Sequence, residues 1–251
     1  MNPPEQARLK ILALDAATEA CSVALLQVDP LQAGPLQTAP TAQDLLVREL
    51  EPGRGASDLI LPLVQEVLAE AGLALPDLSA IAFGRGPGGF TGVRLAASVA
   101  QGLAFGAGLP VIPVSDLRAV AQRVLDEIPA AAGVLVCNDA RMREVYWTCC
   151  ERDAGGLASE VCLEQVGPPE TVQLPTTSHG SVYGAGRGFL AYPQLAERLG
   201  PTLAGLRPEP LPRAREIARL GLAQFAAGGA VPADQALPVY LRDDIARPSR
   251  N

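Results

Sequence analysis

The chain of 251 residues predicts an α/β fold with parallel strand pairing, arranged as two related lobes. Three observations carry this expectation. Short apolar runs alternate with amphipathic helical stretches as far as residue 127, the order of a strand–helix–strand protein. A strand–turn–strand unit whose first strand ends in Asp15-Ala16 returns after residue 133, with Asp139-Ala140 in the equivalent place, which points to an internal duplication. Between an apolar run and a long helical pattern, Gly84, Gly86, Gly88 and Gly89 surround Pro87, a backbone that lets another group approach closely.

Residues 9–14 read as a strand ending at Asp15, and residues 21–28 as its returning partner around the turn Ala16-Ala17-Thr18-Glu19. An aspartate at the tip of a first strand, with Thr in the turn, is one way to hold metal and phosphate. It is equally a turn carboxylate that accepts backbone N–H bonds. Residues 29–55 are rich in Pro, Gly, Gln and Thr and read as a long loop or an irregular edge segment. Ser57 or Asp58 caps a helix reaching about Ala71, with Gly72 as its stop and Ile60, Leu63, Val64, Val67, Leu68 and Ala71 on one face. Leu59 and Pro62 lie off that face and offer a smaller apolar patch to a partner. After a strand at 80–83, Thr91 is expected to cap a helix to about Ala107, with Gly92, Ala96, Ala100 and Ala104 along one side. Gly102 and Gly106 inside it each cost about 1 kcal/mol relative to Ala, so the helix lies close to a phosphate, its own sheet or another protein.

A strand at 110–114 and a helix from Ser115-Asp116 to about Glu127 follow. The expected division is an N-terminal lobe of residues 1–114 and a smaller, less regular C-terminal lobe of residues 115–251. The second lobe reads as strands at 134–137 and 144–150, a further strand near 160–165, a short one at 182–186 and a helix over 212–227. Pro238-Val239-Tyr240-Leu241-Arg242 is a last ordered segment.

A formal net charge of −7 with singly spread cations disfavours nucleic-acid binding by the chain alone. No apolar run reaches the roughly 18 residues of a membrane span and no signal-peptide core opens the chain, which predicts a cytoplasmic location. Cys21, Cys137, Cys149, Cys150 and Cys162 form no C-x-x-C pair and are expected reduced and mostly buried. The only histidine, His179, sits in a polar run with no ligand set around it and reads as a surface-loop residue, so no metal centre is expected.

The glycine loop lacks the Gly-Lys-Ser/Thr of a P-loop and the spacing of a dinucleotide fingerprint. Gly86 and Gly88 are candidates to cradle an anion at a helix N-terminus, with Asp15 and Thr18 as hairpin candidates beside them. The alternative is a glycine turn that lets the helix dock against the sheet or a partner. No serine lies in a nucleophile elbow, and in the second hairpin Arg141 and Met142 are bulky where a phosphate needs glycine. This is a nucleotide-binding fold without catalytic parts: no catalytic residue, cofactor or metal of its own is expected.

Four blocks, LALDAATEACSVALL (12–26), AFGRGPGGFTGVRLAASVAQGLA (82–104), NDARMREVYW (138–147) and PVYLR (238–242), closely resemble the TsaB family, also called YeaZ. The resemblance implies a two-lobed actin/sugar-kinase/Hsp70-like (ASKHA) fold, each lobe RNase-H-like. It also implies a non-catalytic subunit of the bacterial machinery that makes threonylcarbamoyladenosine beside the anticodon of tRNAs reading A-starting codons. Such a subunit pairs with a TsaD-type catalytic subunit, works with a TsaE-type ATPase and a TsaC-type enzyme, forms homodimers when alone, and meets tRNA and ATP only through the assembled machinery. The family's contact surface is built from its first two helices, which places the expected interface at Leu59, Pro62, Gly92, Ala96, Ala100 and Ala104. Where relatives often carry His and Ser this chain has Ala56 and Gly89. The competing expectation is an active ATP-dependent kinase or ATPase of the same fold.

Overall fold

The computed structural model describes residues 8–29, 44–51, 55–175 and 180–242. The first sheet contains β1 (Leu9–Asp15), β2 (Cys21–Val28), β3 (Leu45–Leu50), β4 (Ala80–Gly84) and β5 (Val111–Val114) in the order β3-β2-β1-β4-β5. β1, β2 and β3 pair antiparallel, while β4 and β5 add parallel to β1. Ile11 to Leu14 of β1 are fully buried because helices cover both faces, which is why this strand reads as a continuous apolar run.

The second sheet contains β6 (Gly133–Arg141), β7 (Glu144–Arg152), β8 (Ala158–Glu160), β9 (Gln165–Gly167), β10 (Val182–Ala185) and β11 (Gly205–Arg207). Its order is β11-β10-β6-β7-β8, with β9 also paired to β7. An antiparallel hairpin extended on one side and two parallel strands added on the other is the layout of the first sheet again. Two RNase-H-like sheets of this topology make the chain a member of the actin, sugar-kinase and Hsp70 fold class, as the resemblance implies.

α1 (Ala56–Ala71) and α2 (Phe90–Ala107) lie on one face of the first sheet, α1 over β2 and α2 over β4 and β1. α3 (Asp116–Glu127) packs on β6, β7, β8 and β10 through Leu117, Val120, Ala121 and Val124. α4 (Gly188–Ala191) and α5 (Pro193–Leu199) close the far face of the second sheet with Phe189, Leu195 and Leu199. α6 (Ala214–Ala226) returns from the C-terminal half to cover the other face of the first sheet with Ile217, Ala218 and Leu220. Gly221 permits this close seat, since a Cβ there would lie 2.9 Å from that of Ala82. The backbone N–H of Ala214 donates to Ser22 Oγ at 2.8 Å, and α6 also touches α3. The layers are therefore α1/α2, first sheet, α6 and α3, second sheet, α4/α5. A cut after residue 114 separates the first sheet from one of its two covering layers.

Some boundaries differ from the sequence expectation. The segment 29–55 contains β3, a half-buried edge strand whose Arg48 and Glu49 interrupt the apolar signal. α1 starts from Gly55 in the left-handed region (φ +97°) with no side-chain cap from Ser57 or Asp58, and Pro62 falls inside the helix. α2 starts at Phe90, and Thr91 is exposed and caps nothing. The predicted strand near 160–165 is instead the two short strands β8 and β9. Ser115 does cap α3, its Oγ accepting from the backbone N–H of Arg118 at 3.1 Å. Among the described residues no helix is long and apolar enough to cross a membrane. His179 lies outside the described residues. All five cysteines are free thiols; four are buried and Cys162 is half-buried, and burial pushes the Cys21 thiol up to about 11.

Residues 1–114 expressed alone are expected to lack a cooperative thermal transition, because the face carrying Ile11, Ala13, Ala24 and Ala82 then meets water. The full chain should melt cooperatively. Circular dichroism melts of both proteins check this.

Candidate functional site

The turn between β1 and β2 rests directly on the first turn of α2. The backbone N–H of Gly89 donates to the carbonyl of Ala17 at 2.7 Å. A Cβ on Gly88 would sit 2.6 Å from that same oxygen, and a Cβ on Gly92 would fall onto the carbonyl of Ala16. The exposed N–H groups of a helix N-terminus attract negative charge, commonly a phosphate. Here the chain's own Ala17 carbonyl takes the N-cap N–H. Gly86 adopts φ +98° and lies under the tail, with a would-be Cβ 3.2 Å from the carbonyl of Val239. At Gly86 and Gly88 the chain's own carbonyls approach the backbone closely. Thr18 Oγ1 accepts from Ala20 N–H at 3.3 Å, a bond within its own turn. The second lobe repeats the device: would-be Cβ atoms of Gly186 and Gly188 each lie 2.6 Å from the carbonyl of Cys137.

Beneath the loop sits a feature that periodicity does not reveal. Asp15 and Asp116 are both buried, and their carboxyls converge over Gly84, where any side chain would collide with both. Asp15 Oδ1 accepts from Ala17 N–H at 3.0 Å, and Asp116 Oδ2 accepts from Gly86 N–H. Asp15 Oδ2 and Asp116 Oδ1 are buried with no donor facing them. Burial pushes Asp15 up to about 6 and drives Asp116 well above the usual carboxylate range, the neighbouring Asp15 charge adding to the second shift. A proton on either carboxyl would relieve the repulsion of the pair, whose backbone bonds tie hairpin, glycine loop and α3 together. Among the described residues no group of three acidic, cysteine or histidine side chains is arranged to hold a metal ion.

The predicted contact residues divide. Ala96, Ala100 and Ala104 are fully buried by the chain itself, with Ala100 and Ala104 in the core formed by α1, α2 and the first sheet. Gly92 is small because the hairpin presses on it. The expectation that this stripe meets a partner helix is therefore corrected: the small side chains let α2 approach its own sheet. Leu59 packs half-buried on the same core, while Pro62 is exposed beside Leu61. The outward side of α2 is a different set: Phe105 is 80% exposed, Leu95, Val99 and Leu103 are half-buried, and a Cβ on Gly102 or Gly106 would meet nothing within 4 Å.

The tail completes the site. Val239 N–H donates to the carbonyl of Arg85 at 2.7 Å, and the Arg94 guanidinium lies 3.2 Å from the Phe90 ring centroid and 4.8 Å from that of Tyr240. Arg242 bonds Glu144 and the carbonyl of Ala140 on the second hairpin. Glu19 pairs with Arg187, and Arg85 with Glu164 at 3.0 Å, so further ion pairs link the halves.

Because both carboxyls titrate above their ordinary value, protonation favours the folded state. The Asp15 contribution is full below about pH 4 and is lost as pH rises through about 6. Asp15→Asn is expected to gain about 1–3 kcal/mol of stability at pH 8 relative to the parent, and little at pH 4.5. Urea unfolding at the two pH values checks the difference.

Comparison with known proteins places this geometry in a family. The family model described as TsaD, tRNA N6-adenosine threonylcarbamoyltransferase, matches residues 53–176. The chain is 40% identical to the tRNA threonylcarbamoyladenosine biosynthesis protein TsaB of Escherichia coli K12, over 95% of this chain and 96% of that protein. It is 38% identical to the TsaB of Haemophilus influenzae, over 94% and 95%. The solved structure of YeaZ from Pseudomonas aeruginosa superposes with a TM-score of 0.80 at 41% identity, covering 93% of this chain and all of that one. With near-complete alignment in sequence and in fold, the chain belongs to the TsaB family, also called YeaZ.

Proposed function

We propose that this chain acts in the biosynthesis of threonylcarbamoyladenosine in tRNA as a non-catalytic subunit that pairs with a TsaD-type transferase. One observation supports the non-catalytic part: at the α2 N-terminus the Ala17 carbonyl takes the Gly89 N–H and the Ala16 carbonyl lies against Gly92. Asp15, the carboxylate that would hold a metal there, is buried against Asp116, and burial raises both carboxyls above the usual range. In the second lobe Gly186 and Gly188 lie against the carbonyl of Cys137 in β6. ATP then belongs to the assembled machinery, in which a TsaE-type ATPase is the natural user. tRNA is met in that assembly.

The outward sides of α1 and α2 support the pairing. Two open glycines in the exposed part of a helix cost about 1 kcal/mol each, which nothing in the chain's own packing offsets. Close approach of another backbone gives them a use, and Phe105 on α2 with Leu61 and Pro62 on α1 supply exposed apolar surface. The same face in a second copy accounts for a homodimer when the transferase is absent.

Gly102→Arg should leave the melting temperature unchanged or higher, since it removes a helix-interior glycine into open space, while abolishing co-purification with the TsaD-type subunit. Ala100→Trp should instead lower stability by roughly 1–3 kcal/mol through overpacking. The purified wild-type chain should show no steady ATP turnover. Turnover that disappears in Asp15→Ala, or full partner binding by Gly102→Arg, contradicts this reading.

A further inference from the structure

The β6–β7 hairpin ends in a turn that costs stability and is not explained by packing. Arg141 pairs with Glu144, so Met142 and Arg143 form a two-residue loop. Arg141, Met142 and Arg143 all have positive φ, at 61°, 54° and 65°. Two-residue loops of this hand favour Asn-Gly, because other residues are strained there. Met142 is 76% exposed and the Arg141 side chain 87% exposed, so burial does not offset the strain.

The tip continues into a row of rings and guanidinium groups across the mouth between the lobes. Arg242 reaches Met142 Sδ at 3.2 Å, two residues after Tyr240; Tyr240 shares Arg94 with Phe90. Phe90 is 58% and Tyr240 44% exposed. The acids in this row are engaged, Asp139 by Arg141 and Glu144 by Arg242. Arg94 and Arg143 have no carboxylate partner among the described residues, in a chain whose formal net charge is −7.

We propose that this rim, Phe90, Arg94, Tyr240, Met142, Arg143 and Arg242, is a contact surface for unstacked RNA, the tRNA loop presented to the assembled complex. The inference rests on the pairing proposed above. Exposed rings with an arginine between them stack bases without regard to sequence, and unpaired arginines at the edge meet phosphates. The overall acidity keeps the surface too weak to hold RNA by itself, so it orients a tRNA that the partner also grips.

The test uses the complex of this chain with its TsaD-type partner and an unmodified tRNA. Met142→Asn/Arg143→Gly should raise the chain's melting temperature and leave assembly intact. The same variant should weaken tRNA binding by the complex several-fold, with a shallower salt dependence by roughly 0.7–0.9 log unit per lost phosphate contact. Phe90→Ala/Tyr240→Ala should weaken binding with little change in salt slope. Unchanged tRNA affinity in intact complexes overturns the proposal. So does loss of assembly in either variant, which makes the rim a protein contact. If the wild-type chain does not assemble, the pairing reading fails instead. The same variants are then compared as isolated chains on a single-stranded oligoribonucleotide at low salt, where equal affinity overturns the rim.

Discussion

The contact on which the structure depends is the seat of the β1–β2 turn against the first turn of α2. Two carbonyls, of Ala16 and Ala17, lie where Gly88, Gly89 and Gly92 leave room for them, and any side chain at Gly88 or Gly92 would push them away. One hydrogen bond, Gly89 N–H to Ala17, fixes the register. Its consequence is both structural and functional. α2 is held down on β4 and β1, and the N–H of its N-cap residue Gly89 is taken by the chain's own Ala17 carbonyl. The Asp15–Asp116 pair beneath adds a second tie, stabilising when it holds a proton and costly when both carboxyls ionise.

The duplicated architecture spreads the same solution over both lobes. Each hairpin leans on a glycine turn of its own sheet, and the two sheets are joined through α3 and α6, which contact each other between them. The C-terminal tail then bridges the lobes on the outside, from Arg85 to the second hairpin. The tail thus straps the mouth between the lobes. The molecule's unused surfaces are the outward sides of α1 and α2 and the rim of rings and cations beside the α2 N-terminus.

Much of this was legible in the chain. Apolar runs broken by turn residues located β1, β2 and β4 to β7. The Asp15/Asp139 correspondence foretold two lobes of one topology, and Ser115 marked the start of α3. Three things were not legible, each for a physical reason. Helical periodicity shows that one side of α2 carries small residues but not what covers it, so Ala96, Ala100 and Ala104 could equally meet a sheet or a partner. The return of α6 to the first sheet is a matter of topology, which local pattern does not encode. Asp116 read as an ordinary first-turn acid, since nothing in the sequence announces that it lies against Asp15, about 100 residues earlier. Gly84 was the available signal, a glycine at the end of a buried strand where a side chain would otherwise be expected.

The central claim is that the chain's own hairpin, and not a nucleotide, occupies the N-terminus of α2. The most direct measurement is amide hydrogen exchange at Gly89 and its neighbours, followed by NMR on the isolated protein with and without Mg·ATP. The account predicts that the Gly89 amide, bonded to the Ala17 carbonyl, exchanges slowly in the free protein and is unaffected by millimolar Mg·ATP. Fast exchange in the free protein, or protection and chemical-shift changes at residues 86–92 that appear only with the nucleotide, would contradict it.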